Sequence, residues 1–345
     1  MSVGTLHSLL RKISIVSIIL LAILTTGCGK LDVKSFSYNG FYFDTIVTLT
    51  VYDKDDDCIS HGFMEECGKY EKIFSTTDEE SELFKLNKLS AELSKENRNV
   101  ESYEISKDLY ECIKEADEFA EATDGAYDIT IRPVSKLWNF SSGENKVPDD
   151  DKISEALHKV DHKSVDLSEK DGKFYISFNL VGTEIELGSA AKGYIGDRLI
   201  EYLKTRGISS AILSLGGNVQ CLGTKTDENG ENKGFNVAIK DPFDKEKIFE
   251  VMNVRNKAVV TSGVYERCFE KDGKLYHHIL DPKNGFPVNS EIVSVTVITE
   301  KGSKADILST VCFIEGYEKS RELLKSENDI TVKFIYSDGS VKQIG

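Results

Sequence analysis

The chain has 345 residues, 40% hydrophobic and 29% charged, a balance that supports a sizeable buried core and excludes a disordered chain. Its 58 acidic and 43 basic residues leave a formal charge of −15, which excludes a nucleic-acid backbone as partner, because such binding needs Lys and Arg to displace counterions. The acidity otherwise reads as a solvated surface.

Residues 1–27 read as a lipoprotein signal peptide. Arg11 and Lys12 supply a positive segment, and Ile13 to Leu24 is an apolar run of about a dozen residues, shorter than the roughly 20 that a membrane span needs. The run closes in Leu24-Thr25-Thr26-Gly27-Cys28, a small-residue box whose Cys28 thiol is placed for a diacylglyceryl group. Such a lipid would tether a soluble domain to the extracytoplasmic face of the cell membrane. Residues 28–38 are then a tether and 39–345 the functional domain. Six further cysteines remain of the seven, none in a CxxC pair, which argues against a zinc cluster. An exported chain permits disulfides, and Cys58 and Cys67 are close enough in sequence for one, whereas Cys221, Cys268 and Cys312 sit in apolar runs as buried thiols.

Tyr42 to Tyr52 alternates β-branched and polar residues and is expected as a strand. Phe63 to Ile73 and Ser81 to Leu89 have helical spacing, with Asp78 or Ser81 as cap of the second. Asp108 to Thr123 is an amphipathic helix whose Leu109, Cys112, Ile113, Ala116, Phe119 and Ala120 share one face. A short helix is expected over Ile153 to His158, and strands over Lys173 to Leu180 and Glu184 to Leu187. A helix from Ala191 to Arg206 ends at Gly207, and Ala211 to Leu215 is a strand closed by Gly216-Gly217. Later strands are Phe235 to Ile239, Lys257 to Thr261, Ile292 to Thr299 and Thr331 to Tyr336, with helices over Lys304 to Ile314 and Tyr317 to Ser326. Helices and strands are interspersed irregularly, so the fold class is α+β, mixed or antiparallel sheets with packed helices.

Four constellations carry chemistry. Asp306 and Thr310 stand four apart on an expected helix, about 6 Å between Cβ atoms; they read either as a solvated face or as hard oxygen ligands for Mg²⁺. Glu186-Leu187-Gly188-Ser189-Ala190-Ala191-Lys192-Gly193 is a small-residue turn into a helix, open to close approach by an anion such as a pyrophosphate, with Lys192 paired either to phosphate or to a surface carboxylate. Gly125-Ala126-Tyr127-Asp128 runs on towards Trp138, either as a core aromatic cluster or as a wall for a planar ring with Asp128 as its acceptor. His277-His278 precedes Leu280-Asp281-Pro282, and His278 and Asp281 are candidates for proton handling. Ser214-Leu215-Gly216-Gly217-Asn218 is a further strand-to-glycine turn.

In order and spacing these segments resemble the ApbE-type flavin transferases, the FAD:protein FMN transferase family. The similarity runs from Phe43 to Ile335 through FDTIVTLTVYD, FSTTDEESELFKLN, DGAYDITIRPVSKLWNF, IELGSAAKGYIGDRL, LSLGGNV, TSGVYER, HHILDPKNGFPV and ADILST. It implies an α+β fold with an FAD cleft between lobes. It also implies Mg²⁺-dependent transfer of FMN from FAD to a Thr or Ser hydroxyl of an acceptor flavoprotein in an electron-transfer system, releasing AMP. Carried over by motif, Asp306, Thr310 and the Ser189 carbonyl would hold the metal. Phe43, Thr77, Ala126, Tyr127, Asp128, Glu186, Lys192 and Leu280 would line the FAD site, and His278 would be the acid/base with Asp281 beside it. The chain departs from the family pattern at Phe43-Asp44-Thr45 (commonly Met-Gly-Thr), at Thr77 (commonly aromatic) and at Glu186 (commonly Asp). A hydrolase splitting FAD to FMN and AMP, or a non-catalytic flavin-binding lipoprotein, would use the same residues.

Overall fold

A computed structural model describes residues 35–53, 57–227, 229–244 and 246–345; the expected signal peptide, Cys28, the tether up to residue 34 and the Cys58 side chain lie outside the described residues. The described chain opens with the hairpin of β1 (Phe36–Tyr42) and β2 (Thr45–Val51), then helices α1 (Asp57–Phe74) and α2 (Glu82–Ser94). Strand β3 (Tyr103–Ile105) leads into α3 (Lys107–Ala122), the short α4 (Arg132–Trp138) and α5 (Asp150–Leu157), and the hairpin β4 (Val165–Lys170) and β5 (Lys173–Phe178). Helix α6 (Ala191–Thr205) precedes β6 (Ala211–Leu215), β7 (Asn218–Leu222), β8 (Lys225–Thr226), β9 (Asn232–Lys233), β10 (Phe235–Lys240) and β11 (Ile248–Val254). Strands β12 (Ala258–Gly263), β13 (Cys268–Lys271), β14 (Lys274–His277) and β15 (Ile292–Thr299) are followed by α7 (Gly302–Leu323), β16 (Thr331–Tyr336) and β17 (Val341–Ile344).

Eight strands form one sheet in the order β1-β2-β6-β7-β12-β15-β16-β17, every neighbouring pair antiparallel. The expected α+β class holds. The β15 sequence IVSVTVIT is buried at seven of its eight positions, as a central strand covered on both faces must be. One face carries α6 and α7, whose Ile195, Leu199, Ile307 and Val311 join Val47, Leu49, Leu213 and Leu215 in the largest apolar cluster. The other face is covered by the β10–β11 hairpin through Phe235, Val237 and Val254 against Val259 and Ile298. Helix α3 buries the expected stripe Leu109, Cys112, Ile113, Ala116 and Ala120, and Ser106 caps it by accepting from the Leu109 N–H. Ser81, rather than Asp78, caps α2.

Several elements differ from expectation for identifiable reasons. The end of the expected tether is strand: Phe36 begins β1, paired with Val51. Glu184 to Leu187 is not a continuous strand: Glu184 forms only an isolated parallel bridge with Ile131, and the Asn87 carboxamide takes both backbone groups of Ile185 (2.7 and 2.9 Å). The segment after Asp128 contains a helix, α4, which starts with Pro133 in its first turn. Lys304 to Ser326 is broken at Gly316 (φ 75°, ψ 175°), close to the expected junction between two helices. Cys268 is exposed on the β13–β14 hairpin, not buried; Cys67, Cys112, Cys221 and Cys312 are buried free thiols, so Cys67 is in no disulfide.

Candidate active site

Asp306 lies one turn inside α7, only 5% exposed, and its Oδ2 accepts from the Gly193 N–H at 2.8 Å. That contact requires α6 to press on α7, and glycine permits it: a Cβ at Gly193 would meet the Gly302 carbonyl oxygen at 2.2 Å and Asp306 Cβ at 2.7 Å. Burial pushes the Asp306 pKa up, opposed by the Lys192 ammonium and then by the Gly193 N–H. A turn further along, the Thr310 hydroxyl stands 3.4 Å from Ser262 Oγ on β12, which also bonds Ser309 Oγ at 2.7 Å. Tyr127, buried at the end of the Gly125–Asp128 turn, places its hydroxyl 3.0 Å from Ser189 Oγ. Three motifs far apart in sequence thus meet: Tyr127, the turn from Ser189 to Gly193, and Asp306 with Thr310.

The two histidines divide their roles. His277 is fully engaged: Nε2 faces the Val288 carbonyl at 3.1 Å and Nδ1 accepts from the Ile279 N–H at 3.3 Å, so the proton belongs on Nε2. His278 has a buried Nδ1 without a partner. Burial, with Arg267, His277 and Lys192 adding to it, pushes the His278 imidazole down to about 4. Glu266, whose carboxylate lies 3.7 Å from where a Gly217 Cβ would stand, is raised by burial and lowered by Lys192 and Arg267. Lys192 is therefore the cation common to Asp306, His278 and Glu266, while its Nζ bonds the Gly188 carbonyl at 3.2 Å.

The remaining expected residues take different places. Asp281 does not meet His278 in any hydrogen bond; its carboxylate accepts from the Lys283 N–H and the Asn284 carboxamide and so builds its own turn. Asp128 likewise holds a loop, accepting from Thr130 N–H, Thr130 hydroxyl and His162 N–H at 2.6 to 2.9 Å. Trp138 is core: it stacks on Phe140, donates to the Gly285 carbonyl at 2.8 Å and shares a buried cluster with Leu280 and Phe269. Ala126 is buried beside Tyr127. Glu186 and the turn carrying exposed Thr77 are joined by Arg132, which bonds Glu186 Oε2 at 3.0 Å and the Thr76 carbonyl at 3.2 Å. Phe43 sits with Asp44 at the tip of the β1–β2 hairpin, and its N–H donates to Glu71.

Arg132, Glu266, Ser262 and Asn218 join the candidate site without a signal of their own in the sequence. Ser262 and Glu266 lie within TSGVYER and Asn218 within LGGN, segments conspicuous only as wholes. Among the described residues no cluster of three or more His, Cys, Asp or Glu has metal-binding geometry. The donors at Asp306 are instead one carboxylate and neutral oxygens, with the Asn218 carboxamide acting on the same carboxylate. That set fits a hard divalent cation that keeps most of its own waters. Cavities of about 190 Å³ (Gly125, Asp128, His162, Pro282) and 520 Å³ (Asp197, Arg198, Gln220) flank this cluster rather than contain it.

Residues 43–334 match the ApbE family. A Treponema pallidum protein named FAD:protein FMN transferase is 32% identical over 324 residues, covering 91% of this chain and 88% of the relative. A Klebsiella pneumoniae protein of the same name is 31% identical, covering 88% and 90%. The crystal structure of the ApbE protein from Thermotoga maritima has a TM-score of 0.76 at 30% identity, covering 90% of this chain and 97% of that one. The flavin transferase ApbE from Vibrio cholerae shares the fold, with a TM-score of 0.75 at 24% identity, covering 90% and 96%.

Proposed function

This chain belongs to the ApbE family, and from that premise we propose that it transfers FMN from FAD to a Thr or Ser hydroxyl of an acceptor protein with release of AMP, in a Mg²⁺-dependent reaction. Its relatives are enzymes named for that transfer, and the shared fold spans nearly the whole described chain. The observation that carries the reading is the meeting of the Lys192–Gly193 turn with the buried Asp306 carboxylate, with Lys192 as the cation acting on both Asp306 and His278.

Asp306, Thr310 and the Ser189 backbone carbonyl would hold the cation, which neutralises phosphate charge when bound. Lys192 adds fixed positive charge beside the same carboxylate and suits a pyrophosphate oxygen. The neutral His278 ring, its Nδ1 unpartnered, accepts the proton of the acceptor hydroxyl. The hydroxyl oxygen forms a bond to the FMN phosphorus, the bond from that phosphorus to the bridging oxygen breaks, and AMP leaves with the electron pair. Arg132, Glu186 and the Thr76–Thr77 turn form a rigid edge that suits the flavin half of FAD. The partner is an acceptor flavoprotein of an electron-transfer system, and a lipid on Cys28 would hold the enzyme on the extracytoplasmic face of the cell membrane.

Release of AMP from FAD separates these possibilities. The proposal expects AMP in step with flavin bound to the acceptor, both abolished by chelation of Mg²⁺. AMP with only free FMN would make the chain a hydrolase, and no AMP with FAD still bound would make it a binding protein.

A further inference from the structure

Asn218 opens β7 directly after the Gly216-Gly217 turn, where both glycines have positive φ (63° and 113°). Gly216 is required there, since a Cβ would meet Thr45 Oγ1 at 2.1 Å. The turn delivers Asn218 into the sheet between Leu215 and Val260, 2% exposed, on the same face of β7 as Gln220. The two amides then differ. Gln220 Nε2 donates to the Gly193 carbonyl at 3.0 Å, and the N–H of that same Gly193 reaches Asp306. Asn218 lies next along the strand, yet neither its Nδ2 nor its Oδ1 closes a hydrogen bond of ordinary geometry. A buried amide whose Oδ1 has no partner and whose Nδ2 meets Asp306 only outside ordinary hydrogen-bond geometry is costly, and at a site such a group calls for a ligand, an ion or ordered water as its missing partner. Its influence on Asp306 is direct: the carboxamide favours the ionised carboxylate.

We propose that Asn218 is a positioning residue for the cation site: in the loaded enzyme its Nδ2 fixes the Asp306 carboxylate and its Oδ1 accepts from a water of the bound cation. The assignment rests on the metal reading above. Outer partners of this kind typically govern metal affinity 10- to 100-fold.

The test is Mn²⁺ titration of the full chain with FAD present, following the free-ion electron paramagnetic resonance signal, together with thermal melts with and without Mn²⁺ and FAD. Asn218→Ala is expected to bind Mn²⁺ about 10- to 100-fold more weakly and to lose most of the ligand-induced rise in melting temperature. Its ligand-free melting temperature is expected to stay level or rise, because the open amide is gone. A lower ligand-free melting temperature with unchanged Mn²⁺ affinity would make Asn218 a framework residue and overturn the proposal. If Asn218→Ala does not fold, Asn218→Ser carries the same comparison, and failure of both to fold also overturns it. A wild-type chain that takes up no Mn²⁺ contradicts the metal reading itself rather than Asn218 alone.

Discussion

The adjacent imidazoles show how environment separates identical side chains. Both are pushed down to about 4 by burial, but His277 is held at both nitrogens and His278 is open at Nδ1. In the free enzyme His278 is therefore neutral throughout the physiological range and protonates only as the pH falls towards 4. On the proposed role, the anionic pyrophosphate of bound FAD would favour the imidazolium and raise its pKa in the complex. The acid limb of kcat/KM, which reports the free enzyme, is expected below the acid limb of kcat, which reports the complex. His278→Gln should remove the kcat limb and slow transfer by about 10²–10⁴-fold with little change in FAD affinity. Coincident limbs near 6.5 in the wild type, or a variant that keeps its rate but loses FAD, would contradict this role. The motif pattern pointed to Asp306, Thr310, Lys192 and His278 because hard oxygens at helical spacing and a histidine beside a turn are visible in one dimension. It could not show that the Asp128 and Asp281 carboxylates accept from backbone N–H groups, because an acidic residue near Thr or before Pro-Lys-Asn reads the same whether its oxygens face a ligand or a backbone N–H.

At the level of elements, the hairpin that carries Phe43 is built against local preference. Tyr42 pairs with Thr45, leaving Phe43 (φ 55°) and Asp44 (φ 56°) as a two-residue turn with both residues left-handed. That geometry favours Asn-Gly, and a bulky aromatic there is strained. The double substitution Phe43→Asn with Asp44→Gly is expected to stabilise the protein by about 1 kcal/mol. If Phe43 lines the FAD site, as the family resemblance implies, the same change is expected to raise the KM for FAD. Denaturant unfolding and steady-state kinetics read the two effects separately. A destabilised variant, or one with unchanged KM, would show that the turn holds Phe43 for some other reason. Long periodic elements such as α3, α6 and β15 were legible because their burial repeats at 3.6 or is continuous. Elements such as β1 and the Ile185 segment were not, because β1 alternates with polar residues at a sheet edge and Ile185 is satisfied by the distant Asn87 side chain.

Across the whole molecule, the site depends on an antiparallel sheet that aligns β7 and β12 beneath two helices pressed together at Gly193. Residues from Tyr127 to Thr310 reach one place only because that packing closes, which is why no single motif defines the site and their order along the chain does. The helix-on-helix contact places a buried carboxylate with few partners where α6 begins, a poor arrangement for stability alone and a suitable one for a cation and a pyrophosphate. The most direct test of that account is the intact mass of an acceptor flavoprotein domain after incubation with this enzyme, FAD and Mg²⁺. The account predicts a gain of one FMN unit on the acceptor, absent with EDTA and absent with Asp306→Ala. Full mass gain with Asp306→Ala would contradict it.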